Sequence, residues 1–352
     1  MRPLDVLVIG GGQAGLAAAY HLNQRGCSYA VLEDGHRVGG SWRDRYASLT
    51  LFTPRAFSAL PGLALDGDPE GYATRDEFAD YLERYVRHFG LNVTLRSNVQ
   101  KLQLDAGGGF TATTADGRVF RGASVIVATG GFVTPLLPAV AKEFEAGVAQ
   151  LTTASYRQPA DVPPGTVLVV GDGASGRDIA MDLAPTHRTL LARGKSRRLL
   201  PQRILGRSVW WWLDRLGLLR VGPDSLIGKF MRRADPFPNR DRDLRSLTAA
   251  GILIKPRLTA AAGSEAGFAD GTRAMVKAVV WAIGYRDDFE WIDIDGALSA
   301  NGGPIHREGV SPVRGLFFVG RPWQRNRASA LIMGVGNDAR IVVDASLAST
   351  LS

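Results

Sequence analysis

Two short glycine-rich stretches carry the first chemical signal. Gly10-Gly11-Gly12-Gln13-Ala14-Gly15 follows the apolar run Val6-Leu7-Val8-Ile9, and Gly171-Asp172-Gly173-Ala174-Ser175-Gly176 follows Val167-Leu168-Val169-Val170. Each reads as a strand feeding a GxGxxG turn and then a helix. Gly10 and Gly171 allow the tight turn, Gly12 and Gly173 let the backbone approach a pyrophosphate, and Gly15 and Gly176 permit close helix–strand packing. The loop amides and the positive end of the helix then meet the anion.

The residue that ends the following strand tells the two loops apart. After Tyr29-Ala30-Val31-Leu32 it is Glu33, with Asp34 next. A carboxylate there accepts hydrogen bonds from a ribose diol and repels a 2′-phosphate, so the first loop suits FAD or NAD. After Thr189-Leu190-Leu191-Ala192 it is Arg193, with Lys195 and further basic residues behind it. Cations there suit a 2′-phosphate, so the second loop suits NADP(H).

Other chemistries find little support. A single cysteine, Cys27, excludes an internal dithiol, a CxxC pair and a cysteine zinc site. His21, His36, His88, His187 and His306 have no metal-ligand spacing, so no metal is expected. No nucleophile elbow or serine–histidine–aspartate set is present. With 45% hydrophobic and 22% charged residues, the 352-residue chain has the composition of a folded globular protein of about two domains. No apolar run approaches the roughly 18 residues of a membrane span, and the reducing cytoplasm is the expected location.

The net charge of +8 raises nucleic-acid or membrane binding. Most basic residues are spread along the chain, which argues against a nucleic-acid partner. One cluster stands out, from Arg188 to Arg207, with no acidic residue between Asp182 and Asp214. It reads either as a coenzyme phosphate site extended behind Arg193 or as a solvated face. Val209-Trp210-Trp211-Trp212-Leu213 is strongly apolar. It reads as a lid, a dimer or membrane-touching surface, or, more plainly, a helix packed on the nicotinamide domain.

An internal repeat sets the elements that position these residues. In each half a buried strand, a glycine turn, a helix (Leu16–Gln24; Arg177–Leu183) and a second strand follow in order. Each half then carries an antiparallel meander with an Asp-Gly turn, Asp116-Gly117 or Asp270-Gly271. The interval from Ala115 to Ala128 equals that from Ala269 to Ala282, closing each half on Ala128-Thr129-Gly130 or Ala282-Ile283-Gly284. A proline-rich hinge, Pro159 to Pro164, lies between the halves. The reading is α/β, with two doubly wound Rossmann-like dinucleotide-binding domains of the glutathione-reductase-like kind, the second inserted in the first. The expected bounds are 1–158 for the first part of the FAD domain, 159–287 for the NADP(H) domain and 288–352 for the return that completes the FAD domain.

With these motifs in place, the sequence resembles the flavin-containing monooxygenase superfamily, and within it bacterial flavoproteins linked by name to potassium transport. The matching segments are Gly10–Gly15, Gly39-Gly40-Ser41-Trp42, Leu51-Phe52-Thr53-Pro54-Arg55, Ala128-Thr129-Gly130, Gly171–Gly176, Trp281 to Arg286 and Phe317 to Gln324. The resemblance implies FAD contacts from Gly12, Gln13 and Ala14 to pyrophosphate and from Glu33 to the ribose. It also implies contacts from Gly40, Ser41 and Trp42 along the ribityl chain and flavin, and from the Val99 backbone to adenine. Ala128, Thr129, Gly130 and Gly320 would border the same site. Trp42, Thr53, Arg55 and Gln324 are the candidates for lining the flavin face. Ser329 and Ala330 would open the last helix, with its positive end toward the flavin pyrimidine edge. On the other coenzyme, Gly171, Gly173, Ala174, Ser175, Gly176, Arg193, Lys195, Ala282, Ile283 and Gly284 would hold NADPH.

One departure bears on activity. The superfamily's monooxygenase fingerprint has a histidine four residues before a tyrosine, and here Thr152 precedes Tyr156. The implied activity is hydride transfer from NADPH to flavin, followed by reaction with oxygen and a small-molecule substrate. Two alternatives remain at this level: a reductase of a quinone, metal or protein without oxygen transfer, and a flavin-bound redox sensor. No catalytic side chain is identified, and a homodimer is left open.

Overall fold

The computed structural model describes residues 3–194, 199–234 and 236–350. Its strands fall mainly into two sheets. In the eight-stranded sheet the central strand Leu4–Ile9 lies parallel to Tyr29–Leu32 on one side and to Val119–Val127 on the other. Val6, Leu7, Val8 and Ile9 are all buried, which is why this run lacks the polar alternation of a one-sided strand. Val99–Leu104, Phe110–Thr114 and Val119–Val127 form an antiparallel meander at one edge. The chain returns to this sheet late, with Ile292–Asp293 beside Val99–Leu104 and Leu316–Phe318 beside Val119–Val127.

Helices cover this sheet where the sequence supplies apolar faces and caps. Gln13–Gln24 packs on the C-terminal helix Ile332–Thr350, and the small side chains Ala17, Ala18 and Ala19 are fully buried. Arg75–Phe89 begins at a reciprocal cap, Thr74 with Glu77, and stops at Gly90 in the left-handed conformation.

The second sheet has five parallel strands in the order Leu253–Lys255, Arg188–Ala192, Thr166–Val170, Ala278–Trp281 and Ala149–Thr152. Ala149–Thr152 belongs here although it precedes the proline-rich stretch, whose Pro159–Asp161 forms a short 3-10 turn. A second meander, Leu258–Ala262, Glu265–Phe268 and Arg273–Met275, repeats the first. Both helices after the glycine turns start three residues earlier than the periodicity predicts, at Gln13 and Ala174. The last three residues of each glycine motif already form the first helical turn.

Two expectations need correction. Ser329 and Ala330 do not open the last helix: Ala330 has φ +68° and the helix begins at Ile332. The tryptophan segment forms the helix Val209–Arg215, but it packs on the residues after the first glycine unit rather than on the nicotinamide-type unit. Trp210 is buried against Phe52, and its indole N–H donates to the Phe52 carbonyl at 2.9 Å. A buried indole needs such an acceptor, and periodicity cannot reveal where one lies. Leu219 and Val221 accept backbone hydrogen bonds from Ala328 and Arg327, so residues 209–221 bridge residues 52–57 and 325–328. Among the described residues, no helix is long and apolar enough to cross a membrane.

Candidate functional site

The two glycine loops are one structure built twice. Gly12 and Gly173 cap their helices with nearly identical backbone angles, φ −75° and −72°, ψ −175° in both. Gly10 has φ +105° and Gly171 φ +106°. A Cβ on Gly10 would sit 2.6 Å from the Ala128 carbonyl oxygen, and one on Gly171 would sit 2.4 Å from that of Ala282. A Cβ on Gly15 would lie 1.8 Å from the Gly10 carbonyl oxygen, and one on Gly176 would lie 1.8 Å from that of Gly171. Strand, turn and helix are thus pressed together at both loops with no room for a side chain.

Position 12 is different. A Cβ there would meet nothing within 4 Å, so fold packing does not require this glycine. Neither helix has an acidic residue in its first turn or a side-chain cap at its start, so its first amides are left without a side-chain acceptor from the cap. Nearby, the Thr129 hydroxyl is buried with no hydrogen-bond partner among the described residues. An open side at Gly12, uncapped helix amides and an unpartnered buried hydroxyl fit the pyrophosphate of a bound dinucleotide.

Glu33 sits against the first loop. Its carboxylate accepts from the Gly11 amide at 2.6 Å and the Gly35 amide at 3.0 Å. Asp34 is exposed. Thr94 and Ser97 are hydrogen-bonded to the Glu33 backbone, which brings the strand opened by Val99 to the same edge. Gly40, Ser41 and Trp42 lie in a one-turn helix, and the Trp42 indole N–H donates to Gln13 Oε1 at 3.1 Å. Gly320, φ +82°, comes so close that a Cβ would lie 2.8 Å from Ala14 Cβ. Residues 10–15, 33, 40–42, 128–130 and 320 therefore converge on one loop.

Three other candidates have their polar atoms engaged elsewhere. Thr53 is buried with its hydroxyl 2.7 Å from that of Ser58. Arg55 pairs with Glu77 at 2.7 Å. Gln324 is buried; its amide donates to the Phe318 carbonyl at 3.0 Å and accepts from the Arg321 amide at 3.2 Å. The Ser329 hydroxyl accepts from the Arg325 and Asn326 amides, fixing the turn before the C-terminal helix.

At the second loop, Asp172 takes the position that Gly11 holds in the first. Its buried carboxylate accepts from Arg177 Nη2 at 3.2 Å, Arg193 Nε at 3.3 Å and the Gly194 amide at 3.2 Å. The contact between the second loop position and the strand end recurs in both units, as an amide on Glu33 and as Asp172 on Arg193. Burial pulls the Arg177 guanidinium below its ordinary range, and Asp172 opposes that shift. Ser175 lies within the first turn of its helix, Ile283 is partly exposed, and Gly284 has φ +104° with open space where a Cβ would be. Lys195 lies outside the described residues.

Sequence reasoning missed the groups that join the two units. The Tyr46 hydroxyl donates to Asp178 at 3.1 Å, and Arg240 and Arg242 reach the same carboxylate at 3.1 and 3.3 Å. Burial first, and then Asp178, push the Tyr46 phenol far above its usual range. Tyr285, just beyond Gly284, accepts from Arg45 and from Thr153, each at 2.8 Å. No motif marks Arg45 or Asp178, although Tyr285 lies in a matching segment. A groove of about 570 Å³ opens beside the C-terminal helix, lined by Phe57, Leu219 and Met333 with Asp214, Arg220 and Asn326.

With this geometry in view, the comparisons with known proteins are informative. The pyridine nucleotide-disulphide oxidoreductase family profile matches residues 7–199. An uncharacterised CzcO-like oxidoreductase of Geobacillus kaustophilus is 43% identical over 97% of both chains. An indole-3-pyruvate monooxygenase of rice, YUCCA8, is 29% identical, covering 89% of this chain and 85% of its own. The solved structure of a flavin-containing monooxygenase from Stenotrophomonas maltophilia superimposes with a TM-score of 0.84 at 26% identity, covering 99% of this chain and 100% of that one.

Proposed function

The chain belongs to the pyridine nucleotide-disulphide oxidoreductase family, and from that premise we propose that it is a monooxygenase that consumes NADPH and acts on a small organic molecule. It is an oxidoreductase of the kind that uses FAD and NADPH, built on a Rossmann-like α/β fold. Disulphide reduction through an internal dithiol is not open to it, because Cys27 is its single cysteine.

The observation that carries the proposal is the doubled loop with strand ends of opposite charge. In this reading residues 1–158 and 288–352 hold FAD and residues 159–287 hold NADPH, with Ala149–Thr152 joined to the second sheet by strand pairing. When bound, the two coenzymes supply hydride donation and electron delivery to oxygen. The protein's part is to bind and orient them. Gly12, Gln13 and Ala14 offer amides to the FAD pyrophosphate, and Glu33 accepts from its ribose. Trp42 is held by Gln13 at the flavin end. Gly173 to Ser175 offer amides to NADPH, and Arg193, steadied by Asp172, faces its 2′-phosphate. The groove walled by Phe57, Leu219 and Met333 is the place for an organic substrate, with Asp214, Arg220 and Asn326 offering polar partners beside the apolar wall. Thr152 in place of the fingerprint histidine favours one second reading, a reductase of an organic or protein acceptor without oxygen transfer.

The test is the visible spectrum of purified, FAD-loaded protein mixed anaerobically with NADPH. Bleaching of the flavin is expected; an unbleached flavin removes both readings. On admitting oxygen, coupling of NADPH use to an oxygenated product supports oxygen transfer, and stoichiometric hydrogen peroxide without product supports the second reading. Arg193→Glu should raise the KM for NADPH about tenfold or more while sparing NADH, as loss of a charged phosphate contact implies. An equal effect on both coenzymes removes the assignment of that site.

A further inference from the structure

The helix Leu226–Ala234 displays its apolar stripe outward. Leu226, Phe230 and Ala234 stand one turn apart, with Ile227 beside them. Leu226 is 87% exposed, Ile227 52% and Phe230 59%. The helix rests on the protein through Gly228 and Met231, and Lys229, Arg232 and Arg233 are exposed on its remaining side. A surface helix normally turns its apolar stripe to the core. The same region exposes Leu205 at 87% and Leu216 at 66%. Residues 199–234 carry seven lysines and arginines against two aspartates, a net +5 within a chain of net +8.

We propose that residues 199–234 form a docking surface for an anionic lipid bilayer, with the Leu226–Ala234 helix lying in the plane of the interface. Apolar side chains flanked by basic ones are what such a surface recognises: the aliphatic and aromatic groups enter the acyl boundary, and the cations meet lipid phosphates. A second copy of this chain is the poorer occupant, since pairing this face with itself would bring two net +5 surfaces together. The segment also supplies Asp214, Leu219 and Arg220 to the groove, so docking would hold the groove beside a reservoir of apolar molecules. The proposal rests on the exposed helix and its charge, and stands or falls apart from the oxygen-transfer reading.

The test mixes FAD-loaded protein with sedimentable vesicles of equal parts phosphatidylglycerol and phosphatidylcholine, and separately with phosphatidylcholine alone. Partition onto the anionic vesicles should exceed that onto neutral ones about tenfold or more and fall as salt is raised. Leu226→Gln with Phe230→Gln should lower partition about tenfold or more, with circular dichroism and the flavin spectrum unchanged. Lys229→Gln with Arg233→Gln, which leaves the apolar stripe intact, should lower binding to anionic vesicles only. No preference for anionic vesicles, or variants that bind like the parent, would overturn the proposal. So would a dimer, seen by sedimentation without vesicles, that dissociates on Leu226→Gln with Phe230→Gln.

Discussion

A methyl group added at Gly15 would strike the Gly10 carbonyl oxygen at 1.8 Å, whereas one added at Gly12 would meet nothing within 4 Å. That contrast separates two reasons for a glycine that the motif alone presents as one. Gly15→Ala should destabilise the apoprotein by more than about 3 kcal/mol, since neither turn nor helix can give way. Gly12→Ala should change apoprotein stability by no more than about 1 kcal/mol and weaken FAD binding about tenfold or more. Denaturant unfolding of apoprotein and flavin-fluorescence titration measure the two quantities, and full FAD affinity in Gly12→Ala would remove the pyrophosphate from that loop. The glycines, Glu33 and Arg193 were legible from spacing and charge. The commitments of Arg55 to Glu77 and of Gln324 to backbone were not, because a sequence does not show which distant polar group satisfies a buried side chain.

At the scale of elements, strand and helix order was readable in both halves because apolar runs and glycine turns repeat. The seam between Gln13–Gln24 and Ile332–Thr350 was not, as its members lie more than 300 residues apart. His21 is buried in that seam, where its neutral Nε2–H donates to the Gly336 carbonyl at 3.0 Å. Burial pulls its pKa below the ordinary 6.5, with the Gly336 hydrogen bond opposing. A group depressed in the folded state adds stability above its unfolded value that is lost as pH falls through the folded one. The thermal midpoint should therefore drop as the solution is acidified below 6.5. His306, depressed by burial and by Arg321, adds a loss of the same sign. His21→Gln should lose less between about pH 8 and about pH 5 than the parent protein. Equal losses would show that the seam does not carry this dependence.

For the whole molecule the two sheets must be held in register if two coenzymes are to meet. Asp178, buried on the helix Ala174–Leu183, gathers Tyr46 with Arg240 and Arg242. Tyr46→Phe removes one hydrogen bond to a charged acceptor and should cost about 1.5–3 kcal/mol. Asp178→Asn leaves two guanidinium groups facing a neutral amide and should cost more, about 3–5 kcal/mol. Urea midpoints give the order, and a larger loss in Tyr46→Phe would assign the junction to the phenol rather than to the carboxylate. Local signals alone determined that this chain carries two glycine loops between strand and helix, that the strand ends beside them differ in charge, and that an internal dithiol mechanism is closed to it. Tertiary structure alone decided that Asp172 steadies Arg193, that the tryptophan helix bridges residues 52–57 and 325–328, and that an apolar helix face points outward. Loops and strand ends follow from neighbours along the chain. Partners and exposure depend on contacts between residues far apart in sequence, which only the folded backbone brings together.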